Sequence, residues 1–384
     1  MYKLSVQALL DVKSSGEEVV KEYLVTLQRV PLLIHELIVT ETWRLKVLPL
    51  ILKKEIKTTA VIPMYMVLYH EITIVSLLEA ILFHEEMIES AEDSLIDLVD
   101  YSYRRIILLK SIEFEDDQKD SLSLSERNYF LKQKKDIDFE SGIKCVSILS
   151  YMAQHQKIIP LSILHRLLTV HDIPLLFSSL IYEPPWIRGK AKKEKYDDGK
   201  WIALKPEKFM KISKAEGQVW ICLMQLLLGQ DCQRKYDISD FRKEQFLKLR
   251  SRINEHYIDQ MPILNELLRF LEHLSLFDAP LPKTSIVIEQ VPEIRESIFQ
   301  KNKRKWEDIA VKQIEEYFSL SETDLRELCK KSYVPRYKCM CKQCEYNLEK
   351  NIQESEFHNK AYFSINQKLI TFVAPHLFGN FMKT

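Results

Sequence analysis

Ten histidines and seven cysteines are the side chains of this sequence best able to hold a metal or to do nucleophilic and acid–base work. His70-Glu71 and His84-Glu85-Glu86 each set a histidine beside carboxylates on a helical stretch. Neither continues to His-Glu-x-x-His, the spacing that sets two zinc ligands one helical turn apart with a general base between them. His35, His165 and His273 lie among leucines, where a hydrogen-bonded core or boundary histidine is the simpler reading. There is no Gly-x-Ser-x-Gly elbow for a serine nucleophile, and no Gly-x-Gly, hence no dinucleotide fingerprint and no Walker loop. The many carboxylates sit on charged faces, and no pair is set apart as acid and base. Nothing in these residues supports an enzyme.

Cys145, Cys222 and Cys329 fall on helical stretches with apolar neighbours and read as buried, inert thiols. The cluster with metal-like spacing is Cys339-Met340-Cys341-Lys342-Gln343-Cys344. Cys341-x-x-Cys344 is half of a zinc knuckle, and such a half needs a second pair to complete a tetrahedron. No cysteine follows Cys344, and the later donors are His358 and His376. One reading is a Cys3His site from Cys339, Cys341, Cys344 and His358. The other, which the spacing favours, is an exposed thiol cluster that closes no site. No catalytic, cofactor-binding or metal-ligating residue is therefore assigned.

The elements that carry these residues are helices. The chain has only seven glycines, where roughly 27 are expected at average usage. Hairpins, bulges and phosphate loops need the positive φ that glycine supplies, so an all-β fold and a Rossmann fold are both disfavoured. Apolar residues recur at helical spacing after Pro31 (Leu32, Leu33, Leu37, Ile38) and from Met64 to Ile88. They recur again from Leu95 to Ile106, where Ser90 and Asp93 have the spacing of a capping box. Further helices are expected at about Asn128 to Ala153, after Pro160 and Pro174, and over 218–228, 241–249 and 264–274. A long charged helix is expected over 293–318, followed by a second capping box at Ser319 and Glu322. Two or three helices per 40 to 50 residues is the rhythm of an armadillo or HEAT-like α-solenoid. The expectation is an all-α helical solenoid over 1–331 and a divergent tail over 332–384.

Two segments interrupt the rhythm. Glu113 to Ser125 is acidic, without an apolar stripe, and reads as a solvated loop. Residues 184–206 hold Arg188, Lys190, Lys192, Lys193 and Lys195 beside Trp186 and Trp201, with Asp198-Gly199 as a hairpin signal for a small two-stranded flap. Basic residues next to aromatics are also what single-stranded nucleic acid uses, and with the cysteine cluster they form the alternative reading, a zinc-dependent nucleic-acid or transcription-linked module. Glu194, Asp197 and Asp198 dilute that field. The overall balance of 55 basic against 55 acidic residues argues the same way. No apolar run is long enough to span a bilayer, the cysteines scatter as reduced thiols do, and Asp11 and Lys13 stand where a signal peptide needs an apolar core.

Several stretches together resemble one family. They are Ile62-Pro63-Met64-Tyr65-Met66-Val67 with His70-Glu71, Glu89-Ser90-Ala91-Glu92-Asp93 continuing to Asp97-Leu98-Val99-Asp100-Tyr101, and Gly217-Gln218-Val219-Trp220-Ile221. Later come Leu247-Lys248-Leu249-Arg250, Asp259-Gln260-Met261-Pro262, and Glu289-Gln290-Val291-Pro292-Glu293-Ile294 with Lys305-Trp306. In this order, from about Leu4 to Lys331, the chain resembles the zinc finger MYND domain-containing protein ten family of axonemal dynein arm assembly factors. The resemblance implies a non-enzymatic scaffold that helps outer and inner dynein arms mature before transport into motile cilia. It implies a leucine-rich-repeat assembly factor, chaperones or co-chaperones and axonemal dynein chains as partners, with neither nucleic acid nor a membrane span. It places the protein in the cytoplasm, at centriolar satellites or dynein assembly particles. The family's finger uses seven cysteines and a histidine for two zinc ions, whereas here only Cys341-x-x-Cys344 aligns with its first knuckle. The finger is therefore expected to be absent or truncated. Reduced, purified protein should carry less than about half an equivalent of zinc by elemental analysis; a full equivalent would restore the Cys3His site.

Overall fold

A computed structural model describes residues 24–26, 28–53, 61–114, 126–189, 193–197, 199–203, 210–279, 282 and 290–318. Among these, α1 is Arg29–Lys46, α2 Leu48–Lys53, α3 Val61–Ile81, α4 Glu85–Ser90, α5 Ser94–Lys110 and α6 Glu126–Gln154. Then come α7 (Leu161–His165, extended by a π-helical turn Arg166–Val170) and α8 (Ile173–Tyr182). A small sheet follows: β1 (Ile187–Arg188), β2 (Glu194–Asp197) and β3 (Lys200–Ala203). The remaining helices are α9 (Lys214–Leu228), α10 (Gln230–Gln233), α11 (Asp240–Lys248, then a 3-10 turn Leu249–Ser251), α12 (Glu255–Gln260) and α13 (Leu264–Leu276). The last two are α14 (Glu293–Lys301) and α15 (Trp306–Gln313, then a π-helical turn Ile314–Phe318). The all-α class with a small flap is what the structure shows.

Contacts divide the described residues into two compact units. One comprises Val39–Glu71 and the stretch from Ser297. In it α2 packs on α15. The indole N–H of the fully buried Trp43 donates to Gln313 Oε1 at 2.7 Å, and Arg44 pairs with the buried Glu71 at 3.0 Å. Lys46 Nζ lies 5.0 Å over the Phe299 ring, which meets Trp306 edge-on.

The other unit holds the residues before Val39 and Ile72–Glu296. Its centre is the 29-residue α6, roughly 44 Å long at 1.5 Å per residue, which packs against α5 on one side and α9 on another. The α5–α6 seam is close because Gly142 presents no side chain: a Cβ there would stand 2.7 Å from Leu109 Cβ and 3.2 Å from the Arg105 carbonyl oxygen. Beside it Arg105, 1% exposed, pairs with Asp138 at 3.0 Å, and Lys134 reaches the other Asp138 oxygen at 2.7 Å. Next to α9, α8 packs in turn against α11, and α13 packs against both α9 and α11.

Several expectations change in detail. The hairpin at Asp198-Gly199 forms as expected, with Asp197 opposite Lys200 and Gly199 at φ 78°, but β1 adds a third strand. The apolar run over 64–88 is two helices, broken at Leu82–His84. No capping box forms at Ser90: it is the last residue of α4, its hydroxyl donates to the Met87 carbonyl, and Asp93 precedes α5 without a side-chain cap. The single helix expected over 293–318 is also two, with the break at Asn302–Lys305 and Arg304 at φ 71°. His273 is exposed and lies against Phe277, whereas His35 and His165 are half-buried. Cys145 and Cys222 are fully buried, and burial pushes the Cys222 thiol well above its usual pKa. Most of the acidic loop, the Ser319–Glu322 cap, Cys329, the boundary at 331 and the whole tail lie outside the described residues, as does the start of the expected solenoid before Leu24.

The Gly142 seam yields a stability test. Alanine is the better helix former by about 1 kcal/mol, yet its methyl would collide with a Cβ that is fixed to backbone. Gly142→Ala is expected to lower unfolding stability by about 1–2 kcal/mol, read from urea denaturation, and a gain would show that the seam is loose.

Candidate functional site

Asp97 and Asp100 are one turn apart on α5, both buried, and each is answered by a different kind of partner. Asp97 accepts from the backbone N–H groups of Ile294 (3.3 Å) and Arg295 (3.1 Å), the first-turn donors of α14 that no intrahelical carbonyl can satisfy. Asp100 receives a fork from Arg166, at 2.5 Å from Nε and 2.9 Å from Nη2, and a contact of 2.6 Å from His171 Nε2. Arg166 also donates to the carbonyl of Gln290 at 2.9 Å. The stretch 97–100 is thereby joined to 290–295, two of the blocks on which the family resemblance rests.

The same environment drives the two carboxyls apart. Burial raises Asp97, and two backbone N–H donors do not outweigh it. Burial also opposes ionisation of Asp100, but hydrogen bonds from His171 and Arg166 prevail and lower it to about 2.

His171 connects this network to a cleft. Its ring stacks on Tyr103 with centroids 4.2 Å apart. Asp172 follows at φ 47° and caps α8 by accepting from Leu175 N. It also accepts from the Tyr236 hydroxyl at 2.5 Å and from Arg242 Nε at 2.8 Å. Beside these lies a cleft of about 540 Å³ whose lining includes Tyr103, His171, Leu175, Tyr182, Phe241 and Lys248. A second, of about 650 Å³, shares Tyr182 and Lys248 and adds Leu247, Arg250, Leu268 and Glu272. The walls follow helix periodicity: Leu175, Ser178, Ser179 and Tyr182 on α8, and Phe241, Gln245 and Lys248 on α11. The clefts offer aromatic faces, hydroxyls and cations to a bound group.

The flap is a different case: Arg188 and Lys195 are engaged within the fold, and Lys190 and Lys192 lie outside the described residues. Arg188 pairs with Glu194 at 2.7 Å and lies 4.3 Å over the Trp201 ring. Lys195, 6% exposed, donates to Glu216 and to the Lys211 carbonyl at 2.7 and 2.6 Å. Trp186 is 1% exposed, and Trp201 packs among Phe114, Phe139 and Tyr196. These groups hold the sheet against α9 and α6 rather than facing a strand of nucleic acid. Glu216 also accepts from Tyr257 at 2.7 Å, and Gln260 accepts from Ile212 N and donates to the Met210 carbonyl, so residues 210–216, just before the block at 217–221, are joined to 257–260.

Cys339, Cys341, Cys344 and His358 lie outside the described residues. Among the described residues no group of three or more His, Cys, Asp or Glu side chains could hold a metal, and no helix is long and apolar enough to cross a membrane. The Asp97–Asp100 network and the clefts at Tyr182 were not assigned from sequence. The available signal was the polar spacing on α8, which only tertiary packing turns into a wall.

Asp100 gives a test with a defined sign. Its folded-state pKa of about 2 lies below the usual carboxylate value of 3.8, so it contributes stability above 3.8 and loses it as the pH falls through about 2. Asp100→Asn leaves Arg166 buried without its carboxylate and is expected to cost about 3 kcal/mol at neutral pH. In urea denaturation the variant should also lose this acid-dependent component; an unchanged midpoint at both pH extremes would show that the pair contributes nothing.

Among known proteins, the chain is similar to the zinc finger MYND domain-containing protein 10 homolog of Drosophila melanogaster, with 33% identity over 305 residues. The match covers 77% of this chain and 66% of that protein, so the chain spans just under two thirds of the relative's length. No family model matches the chain, and no solved structure does.

Proposed function

Because the chain belongs to the zinc finger MYND domain-containing protein 10 family, we propose that it is a non-enzymatic scaffold for cytoplasmic preassembly of axonemal outer and inner dynein arms, serving motile cilia. The observation that carries this reading is the identity extending over 305 residues of helical chain, which covers the blocks at 97–101, 217–221, 247–250 and 289–294. Its partners on this reading are a leucine-rich-repeat assembly factor, chaperones or co-chaperones, and the dynein chains themselves. Its place of action is the cytoplasm, at centriolar satellites or dynein assembly particles.

The physical features support a holding role. Titratable groups that could be read as an acid–base pair are engaged: His171 is tied to Asp100 and stacked on Tyr103, and Asp172 is tied to Tyr236 and Arg242. The donor set of Cys339, Cys341 and Cys344 with His358 does not fit a finger of seven cysteines and a histidine, so no part of this function is routed through zinc. Affinity capture of the tagged chain from ciliated cells, read by mass spectrometry, is expected to recover dynein arm subunits or chaperones above an untagged control. Recovery of neither would overturn the reading.

A further inference from the structure

The two clefts of the larger unit meet at Tyr182, and there the fold leaves hydrogen-bond donors unused. Ser178, 1% exposed, has a buried hydroxyl with no hydrogen bond among the described residues. The Tyr182 hydroxyl is buried in the same condition, and Tyr182 lines both clefts. A hydroxyl removed from water without a partner costs about 1–3 kcal/mol. Other buried phenols of this unit are engaged: Tyr236 donates to Asp172 and Tyr257 to Glu216. Ser102 and Ser141 also bury hydroxyls without a partner among the described residues, but neither lines the two clefts. Tyr236 and Tyr257 each meet a carboxylate of the chain, and among the described residues Tyr182 meets none.

The charge around Tyr182 says what is missing. Burial raises its phenol pKa, so it stays protonated and can donate. The charge acting on it is that of Arg252, whose guanidinium lies 5.8 Å from the ring centroid. Lys248 and the exposed Arg250 line the adjoining cleft. Among the described residues Lys248 is engaged through exposed contacts with Glu244 and Gln245. Glu183 and Glu272 stand on the lining too, but neither accepts a hydrogen bond from the Tyr182 hydroxyl. The group that fits is a carboxylate, accepting from Tyr182 and facing Arg252 and Lys248. Around it the walls are apolar, with Leu175, Leu247 and Leu268 inside and Phe241, 61% exposed, at the mouth.

We infer that the paired clefts at Tyr182 bind a peptide segment of a partner protein, through one carboxylate held by Tyr182, Lys248 and Arg252 and apolar side chains seated between α8, α11 and α13. The inference deepens the scaffold reading and rests on it for the partner being a protein. The combined volume suits a short segment of a few side chains, and the convergence of apolar walls with a few placed donors is the usual make-up of a recognition site. The hydroxyl supplies geometry and the cations supply charge, so binding weakens with salt as exposed pairs are screened.

The test is peptide display on the full chain, with a library of short random peptides. Selected peptides should carry Asp or Glu beside leucine or an aromatic residue. In fluorescence polarisation Tyr182→Phe is expected to bind them about tenfold more weakly, the effect of losing one hydrogen bond to a charged group. Its thermal melting point should be unchanged or raised, since the deleted hydroxyl had no partner. Lys248→Glu should abolish binding, with circular dichroism confirming the fold. Selected peptides without acidic residues, or equal binding by wild type, Tyr182→Phe and Lys248→Glu, would overturn the inference. Peptide binding in a chain that captures no dynein arm subunit or chaperone would sustain this groove while overturning the assembly role. Successful capture without peptide selection would do the reverse.

Discussion

A carboxylate taken out of water must be met by a donor or a cation, and on α5 two such groups are buried within a single turn. Asp97 and Asp100 have different solutions because they face different neighbours. The α14 N-terminus supplies Asp97 with two backbone N–H groups, which satisfies the helix end as much as the carboxyl. Arg166 supplies Asp100 with a charged fork, and His171 adds a third donor. Only the second solution brings enough positive charge to overcome burial, which is why the two carboxyls shift in opposite directions. One turn of helix therefore ties together residues 97–100, 166–171 and 290–295. Removing either carboxylate would leave donors from another segment buried without a partner, and a buried pair broken on one side is costlier than a pair never formed.

The same economy runs through the rest of the larger unit. On α5 one turn further on, Arg105 meets Asp138 and the pair is sealed by the close approach at Gly142. At the flap Lys195 meets Glu216, and Arg188 meets Glu194 while its guanidinium covers Trp201. The equal totals of 55 basic and 55 acidic residues are thus partly realised as specific buried or half-buried pairs. Arg188 and Lys195, matched inside the fold, offer less free field to a polyanion than the short basic window of sequence suggests.

Much of the secondary structure was legible because it depends on local terms. Glycine scarcity disfavoured an all-β fold, Asp198-Gly199 marked the hairpin, and the prolines at 160 and 174 marked helix starts, because each acts on the backbone within a few residues. What escaped was decided by tertiary partners. Ser90 and Asp93 have capping-box spacing, but Ser90 closes the preceding helix instead. The spacing that does cap is Ser213 with Glu216, where Ser213 accepts from Glu216 N and the Glu216 carboxylate is diverted to Lys195 and Tyr257. The charged run over 293–318 reads as one helix by propensity, yet Arg304 takes a positive φ that interrupts it. The partners of Asp97 and Asp100 lie from 66 to 198 positions away in sequence, and no periodicity carries information over that distance.

The clefts at Tyr182 were hidden for a related reason, since a wall made from three helices has no signature in any one of them. On α8 the sequence places Leu175, Ser178, Ser179 and Tyr182 on one face, which alone reads as the mixed edge of an amphipathic helix. Ser179 behaves that way, donating to the Leu176 carbonyl and accepting from Lys110. Ser178 and Tyr182 do not: no acceptor among the described residues reaches either hydroxyl. Asp97, Asp100, Asp138, Asp172 and Glu216 each answer a donor from another segment; of the buried hydroxyls left unanswered in this unit, Ser102 and Ser141 lie away from both clefts, whereas Ser178 and Tyr182 line them beside Lys248. Their cost to stability is the physical ground for assigning that face to binding rather than to packing.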